Sequence, residues 1–290
     1  MLFANCHFHS TFSDGEYHPN KLVELAKSLG HRALILTDHD TVRGTYFLQN
    51  AARRAGMLSL LGCEFSTKGL GSSFHLVGID FNPENAAMRK LLARAAAKQT
   101  ERSHILFDRG LERGTLRAGI TWQDVLDFFP DNDYYCNNQV FFTMQAKGIY
   151  QPEDYPDFFY NNFAPPSAVN REIEELTGLY TPDIEEVVHT ILAAGGVPVI
   201  AHPNKREKYV DDLIRMGVKG FETRHPDLTE GEPEFYDQLC TERNLYKLGG
   251  TDHSAVLGGL AERMAHLNVP VETGYVTEED FMKLYRRELG

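Results

Sequence analysis

Apolar residues along this chain recur in two alternating rhythms. Across residues 19–29, Leu22, Leu25, Ala26 and Leu29 share one helical face, with Pro19 suited to a first turn and Gly30 to a stop. Residues 32–36 then form a short apolar run that ends in Thr37-Asp38-His39-Asp40. A helical pattern follows through Arg54, with Gly56 as its stop, and residues 57–61 form a second apolar run ending in Gly62-Cys63-Glu64. Residues 74–79 read as a further strand. The rhythm returns at 197–201, 218–222 and 245–248, separated by helical stretches such as 183–194. Alternation of this kind predicts parallel strands in an α/β architecture.

Between about residues 82 and 168 the alternation stops. A long helical pattern rich in Ala, Arg and Lys gives way to an aromatic, Asn-rich stretch punctuated by Pro. This predicts an inserted, mainly helical subdomain over 82–168 within a main domain made of 1–81 and 169–290. A helix near Thr121 should begin with that residue as its cap and Asp124 three positions on, and Pro165-Pro166 marks the return to the main fold.

Composition narrows the picture. The chain has 290 residues, enough for one large α/β domain with an insertion, and is 42% hydrophobic and 24% charged, as ordinary globular domains are. It contains no apolar stretch of membrane-spanning length, and its first residues lack a basic region followed by an apolar run, so no membrane and a cytoplasmic location are expected. Cys6, Cys63, Cys136 and Cys240 are scattered singly, without the paired spacing of a zinc ribbon or redox couple, and read as reduced thiols. The formal charge of −12 argues against duplex nucleic acid as a partner. Bound cations would reverse that balance locally, since three divalent ions bring about six positive charges into one pocket, and small anionic substrates stay compatible with the chain.

The candidate chemistry follows from where histidines and carboxylates fall. His7 and His9 lie at i and i+2, so on an extended chain both imidazoles point to one side and can share a cation. Asp14 follows in Ser13-Asp14-Gly15, His39 closes the second apolar run, Glu64 closes the third, and His75 sits on the next. His202 ends a later run in Ala201-His202-Pro203, and Gly249-Gly250-Thr251-Asp252-His253 ends the last. Taken singly, each has a bland explanation: a turn aspartate, a core histidine, a solvated loop carboxylate. Together they put imidazole and carboxylate ligands at the same end of several strands, where α/β barrels keep their sites, and predict a metal site.

This ordered set resembles the polymerase and histidinol phosphatase (PHP) family of metal-dependent phosphoesterases. The resemblance spans roughly residues 5–80 and 170–260, and the branch with a helical insertion at this point is similar over nearly the full length. It implies a distorted seven-stranded β/α barrel, and two or three divalent ions of Mn, Zn or Fe. His7, His9 and Asp252 would hold the first ion, with Glu64 bridging to a second that His75 and His202 complete. Asp14, His39 and His253 would hold a third, a trinuclear centre. The implied activity is hydrolysis of a small phosphorylated metabolite, a phosphomonoester or a cyclic phosphodiester, by water activated between cations. His253 or His225 would protonate the leaving oxygen if the third ion is absent. Arg206 is the leading phosphate ligand, with Lys205, Arg224 and Arg102 as further candidates.

The chain departs from the family twice. Many relatives read Asp-x-His in the final motif, whereas Asp252 and His253 are adjacent here. Relatives with the insertion also carry an Arg-Pro-His segment facing the active site, and Asn137, Asn138 and Gln139 stand at the aligned positions. Losing those cationic groups bears on which compound binds. Competing readings are trimming of oligonucleotide ends, a carbon–nitrogen hydrolase, and a non-catalytic regulatory metal-binding module.

Overall fold

The computed structural model describes residues 3–164, 167–252 and 276–289. His253 therefore lies outside the described residues. Three short parallel strands, β1 (Ala4–Asn5), β2 (Ala33–Leu34) and β3 (Leu58–Ser59), form one sheet in that order. Five more, β4 (Gly62–Gly69), β5 (Ser72–Ile79), β6 (Val197–Ile200), β7 (Gly220–Arg224) and β8 (Tyr246–Gly249), form a second in sequence order. The two sheets meet at both edges. On one side the Cys6 N–H donates to the Gly249 carbonyl (3.1 Å), and the Thr251 and Asp252 N–H groups both donate to the carbonyl of His7 (3.0 and 2.9 Å). On the other, His39 pairs with Glu64 in a parallel bridge, with Asp40 N–H donating to Glu64 (2.8 Å) and Glu64 N–H to Asp38 (3.2 Å).

The α/β class stands, but the strands are not all parallel. β4 and β5 form an antiparallel hairpin from Gly62↔Ile79 to Gly69↔Ser72, and β5 pairs antiparallel with β6. The reversal needs only Leu70 and Gly71, which both take positive φ (49° and 73°), the backbone of a tight hairpin turn. As a result Glu64 is the third residue of an eight-residue strand and does not close one, and His75 reaches the site from a strand that runs the other way.

Helices cover the sheets. α1 (Pro19–Ser28) and α2 (Arg43–Ala55) pack Leu22, Val23, Ala26, Leu48 and Ala52 against Phe8, Leu34 and Leu36. From β5 the chain enters α3 (Ala86–Arg113), capped by the Asn85 side chain on the N–H groups of Ala87 and Met88. Then come α4 (Trp122–Phe128), with the Thr121–Asp124 capping box in place, α5 (Asn137–Ala146), α6 (Tyr155–Asn162) and α7 (Ser167–Thr177). These helices have their own apolar cluster, in which Phe107, Val140, Phe141, Met144, Phe158 and Phe163 are buried. Trp122, Phe158, Phe159 and Phe163 are thus packing residues, while Tyr160 is exposed. α8 (Ile184–Ala193) returns to the sheet by burying Ile184, Val187, Val188 and Ile191, the spacing of one helical face, each contributing about 1.5–3 kcal/mol. α9 (Val210–Met216), α10 (Glu232–Arg243) and α11 (Glu278–Tyr285) complete the set, α10 lying on β7. All four cysteines are free and buried. No helix among the described residues is long and apolar enough to cross a membrane.

Candidate metal centre

The histidines and carboxylates singled out in the sequence converge on Glu64, which is fully buried. Its Oε2 lies 3.3 Å from His7 Nε2, 3.3 Å from His9 Nε2 and 3.2 Å from His39 Nδ1. Its Oε1 lies 3.0 Å from both His75 Nδ1 and His202 Nε2. Asp252 Oδ1 is 2.9 Å from His9 Nε2 and 3.6 Å from His7 Nε2. Asp14 faces His9 (3.5 Å) and His39 (3.8 Å). The structure brings together His7, His9, Asp14, His39, Glu64, His75, His202 and Asp252, drawn from the ends of β1, β2, β6 and β8 and from the β4–β5 hairpin.

Several ligand atoms here have no hydrogen-bond partner. His7 Nε2, His9 Nδ1, His39 Nδ1, Glu64 Oε2 and His225 Nε2 are buried and unpaired. Leaving such groups unsatisfied costs about 1–3 kcal/mol each, so so many in one place need a ligand to account for them. The spacings fit cations: donors about 2.0–2.2 Å from one ion sit roughly 3.0–3.5 Å from each other. Four overlapping groups, His7–His9–Glu64–Asp252, His9–Asp14–His39, His39–Glu64–His75 and His7–Glu222–His225, are each compact enough to hold an ion.

The electrostatics point the same way. Burial opposes the charged form of His7, yet Glu222, Glu64 and Asp252 outweigh it and hold the ring well above its ordinary value. In His9 burial is again overcome, by Asp14 and Asp252, which push it up to about 9. Burial dominates at His39, pulling it down to about 4. Glu64 and Asp252 are held well below the usual carboxylate range, the surrounding histidines overcoming burial. A cluster this rich in carboxylate without a metal borrows protons as counter-charge.

Local backbone makes these approaches possible. A Cβ at Gly250 would lie 2.3 Å from the His7 nitrogen, and one at Gly15 would lie 2.3 Å from the His9 carbonyl oxygen. His202 (φ 26°) and Asp252 (φ 48°) hold left-handed backbone that non-glycine residues seldom adopt, a feature of functional turns. The loop bearing Asp14 is fixed from two sides. Buried Asp38 accepts from Ser10 N–H (2.6 Å), Ser10 Oγ (2.7 Å) and Ser13 Oγ (2.8 Å). Asn138 donates to the Asp14 carbonyl, and Gln139 donates to the carbonyls of Ser13 and Thr11. Those amides therefore hold loop backbone: Asn138 and Gln139 are buried, and Asn137 bonds Tyr155 Oη (2.8 Å).

The basic candidates are dispersed. Arg206 reaches the carbonyl of Ser73 (3.3 Å), two residues before His75 on β5, and lies over the ring of Phe74, the residue between them. Lys205 is anchored through its N–H to Glu232 (2.6 Å), with its side chain exposed. Arg224 lies beside Asp237 of α10 (3.9 Å). Arg102 is buried, donating to Asn170 Oδ1 (3.2 Å) and the Phe163 carbonyl (3.0 Å). His225 is 3% exposed; its Nδ1 accepts the Asp227 N–H (3.1 Å), and its Nε2 lies 3.5 Å from Asp252 Oδ2.

Sequence reasoning passed over Glu222 and Asp38. Glu222 ends the apolar run 218–222 as His39 ends its own, so the rule that found the other ligands extends to it.

The PHP domain pattern matches residues 5–135. The chain is 30% identical over 247 residues to "5'-3' exoribonuclease Rnm" of Escherichia coli, covering 79% of this chain and 74% of that one. The chain belongs to the PHP family. It is also 23% identical over 261 residues to "Phosphoribosyl 1,2-cyclic phosphate 1,2-diphosphodiesterase" of Eggerthella lenta, covering 89% of this PHP chain and 96% of the relative. In fold it is similar to a solved structure from Bifidobacterium adolescentis, named as a candidate metal-dependent phosphoesterase, with a TM-score of 0.75, 24% identity, and 99% and 96% of the two chains covered.

Proposed function

We propose that this PHP protein is a metal-dependent phosphoesterase that hydrolyses a small phosphorylated compound, a monoester or a cyclic diester. The observation that carries the reading is the set of buried, unpaired nitrogen and oxygen atoms gathered on Glu64. His7, His9 and Asp252 would hold one ion and His75 and His202 a second, with Glu64 within reach of both; Asp14, His39 and His253 would hold a third. Mixed imidazole and carboxylate ligands suit Mn, Zn or Fe. Bound ions would supply a nucleophile from water at neutral pH and neutralise the phosphoryl oxygens. Arg206, at the His75 side, binds the substrate phosphate, and Lys205, Arg224 and Arg102 contribute less, since their present contacts lie with Glu232, Asp237, and Asn170 with Phe163. Where the third ion is absent, His253 or His225 would protonate the leaving oxygen.

The same reading extends to architecture. β3 and β4, separated only by residues 60 and 61, count as one strand of a distorted seven-stranded barrel closed through the Cys6–Gly249 and Asp40–Glu64 bonds. Residues 82–168 are its insertion. Four free thiols fit a reducing cytoplasm.

The name of the Escherichia coli relative favours a second reading, removal of nucleotides from short RNA ends. The net charge of −12 and the amides at 137–139 weigh against a long polyanion. The test is metal content of the purified protein with phosphate release from linear esters, cyclic esters and short oligonucleotides, with and without chelator. Two to three equivalents of metal and chelator-sensitive release from a small ester are expected. A metal-loaded protein that leaves every small ester intact overturns the reading.

A further inference from the structure

We infer that Glu222 is a positioning residue that orients one ligand of each of the two ions sharing Glu64. This rests on the metal centre, and is independent of which ester is hydrolysed. Glu222 is fully buried and meets no Lys or Arg in the structure's described residues. Its Oε1 lies 2.7 Å from His7 Nδ1, and its Oε2 accepts the backbone N–H of His202 at 2.6 Å. The first bond settles the ring of His7: with Nδ1–H donated to the carboxylate, Nε2 is the nitrogen left to face an ion beside Glu64 Oε2 (3.3 Å) and Asp252 Oδ1 (3.6 Å). The second bond pins His202 at φ 26°, a backbone angle that needs outside support, and thereby aims its Nε2 at Glu64 Oε1 (3.0 Å).

Two N–H donors therefore converge on one carboxylate. Only a group with two acceptor oxygens satisfies both, which separates Glu from Gln at this position. An amide in the same volume accepts one donor and turns its own N–H₂ on the other, leaving a buried donor–donor contact. The change falls on ligand orientation, since Glu222 points neither oxygen at Glu64 or Asp252.

The experiment titrates Mn²⁺ into chelator-treated wild-type protein and Glu222→Gln, following binding by calorimetry, with thermal melting of both metal-free proteins as the check on folding. Glu222→Gln is expected to bind Mn²⁺ about 10- to 100-fold more weakly. Binding within twofold of wild type overturns the inference. A wild-type protein that takes up no Mn²⁺ or Zn²⁺ at all overturns the metal reading itself, which is a separate outcome. Should the variant fail to fold, the wild-type protein loaded with Zn²⁺ alone decides the matter by nitrogen-15 NMR of its histidines. His7 is expected to carry its proton on Nδ1; a proton on Nε2 refutes the role.

Discussion

His9 and Glu64 turn a structural arrangement into a measurable pH dependence. Without metal, His7 is held well above its ordinary value of 6.5 and His9 rises to about 9. Groups raised on folding stabilise fully below about pH 6.5, their unfolded value, and that stabilisation is lost as pH climbs toward the folded value. Glu64 and Asp252, lowered on folding, stabilise above about pH 4 and lose that contribution only as pH falls further. Chelator-treated protein should therefore melt at progressively lower temperature from about pH 6.5 to 9, while Zn²⁺-loaded protein should not, because the ion needs the bare nitrogens. Melting curves across that range, with and without chelator, check it. Gly250 gives a second expectation: Gly250→Ala should cost about 1–3 kcal/mol in denaturant unfolding and lower metal content, since its Cβ would lie on the His7 backbone. At this scale the sequence was highly legible. Glu64 and seven other proposed ligands come together, because strand ends deliver side chains to one rim whatever the details between them. Glu222 stands at the end of its apolar run as the proposed ligands do, but what it and Asp38 hold in place shows only in their contacts.

At the scale of elements, the helices and most strands follow their apolar spacing, and Thr121–Asp124 caps α4 as its sequence suggests. Strand direction did not follow. A run such as 74–79 has the same alternation in either direction, and the reversal rests on two residues, Leu70 and Gly71, whose positive φ values only pairing with β4 makes evident. The contribution of residues 137–139 was equally hidden. Asn138 and Gln139 read as a neutralised clamp, whereas they fasten the Asp14 loop from the first turn of α5. Gln139→Ala should strip the carbonyls of Thr11 and Ser13 of a buried donor, lowering unfolding free energy by about 1–3 kcal/mol. Metal content should fall by the share that depends on Asp14, with the His7–His9–Asp252 group retained; elemental analysis beside urea melts measures both.

For the whole molecule, family membership and the architecture of alternating strands and helices agree, and the chemistry is concentrated where the two sheets meet. Asn5 donates to Thr251 Oγ1 at 2.9 Å, and His9 meets Asp252 at the same distance, so β1 and β8, the first and last strands among the described residues, are bonded neighbours. That adjacency has a kinetic meaning. The proposed ligands His9 and Asp252 stand 243 residues apart along the chain, so an ion seated between them clasps a very long loop. Closing so long a loop is a late event in folding, because its entropy is offset only after the intervening helices have packed. Metal should then leave the refolding rate nearly unchanged and slow unfolding instead, acting as a latch on the finished ring. Stopped-flow chevrons with and without Zn²⁺ would show the unfolding arm displaced and the refolding arm superimposed.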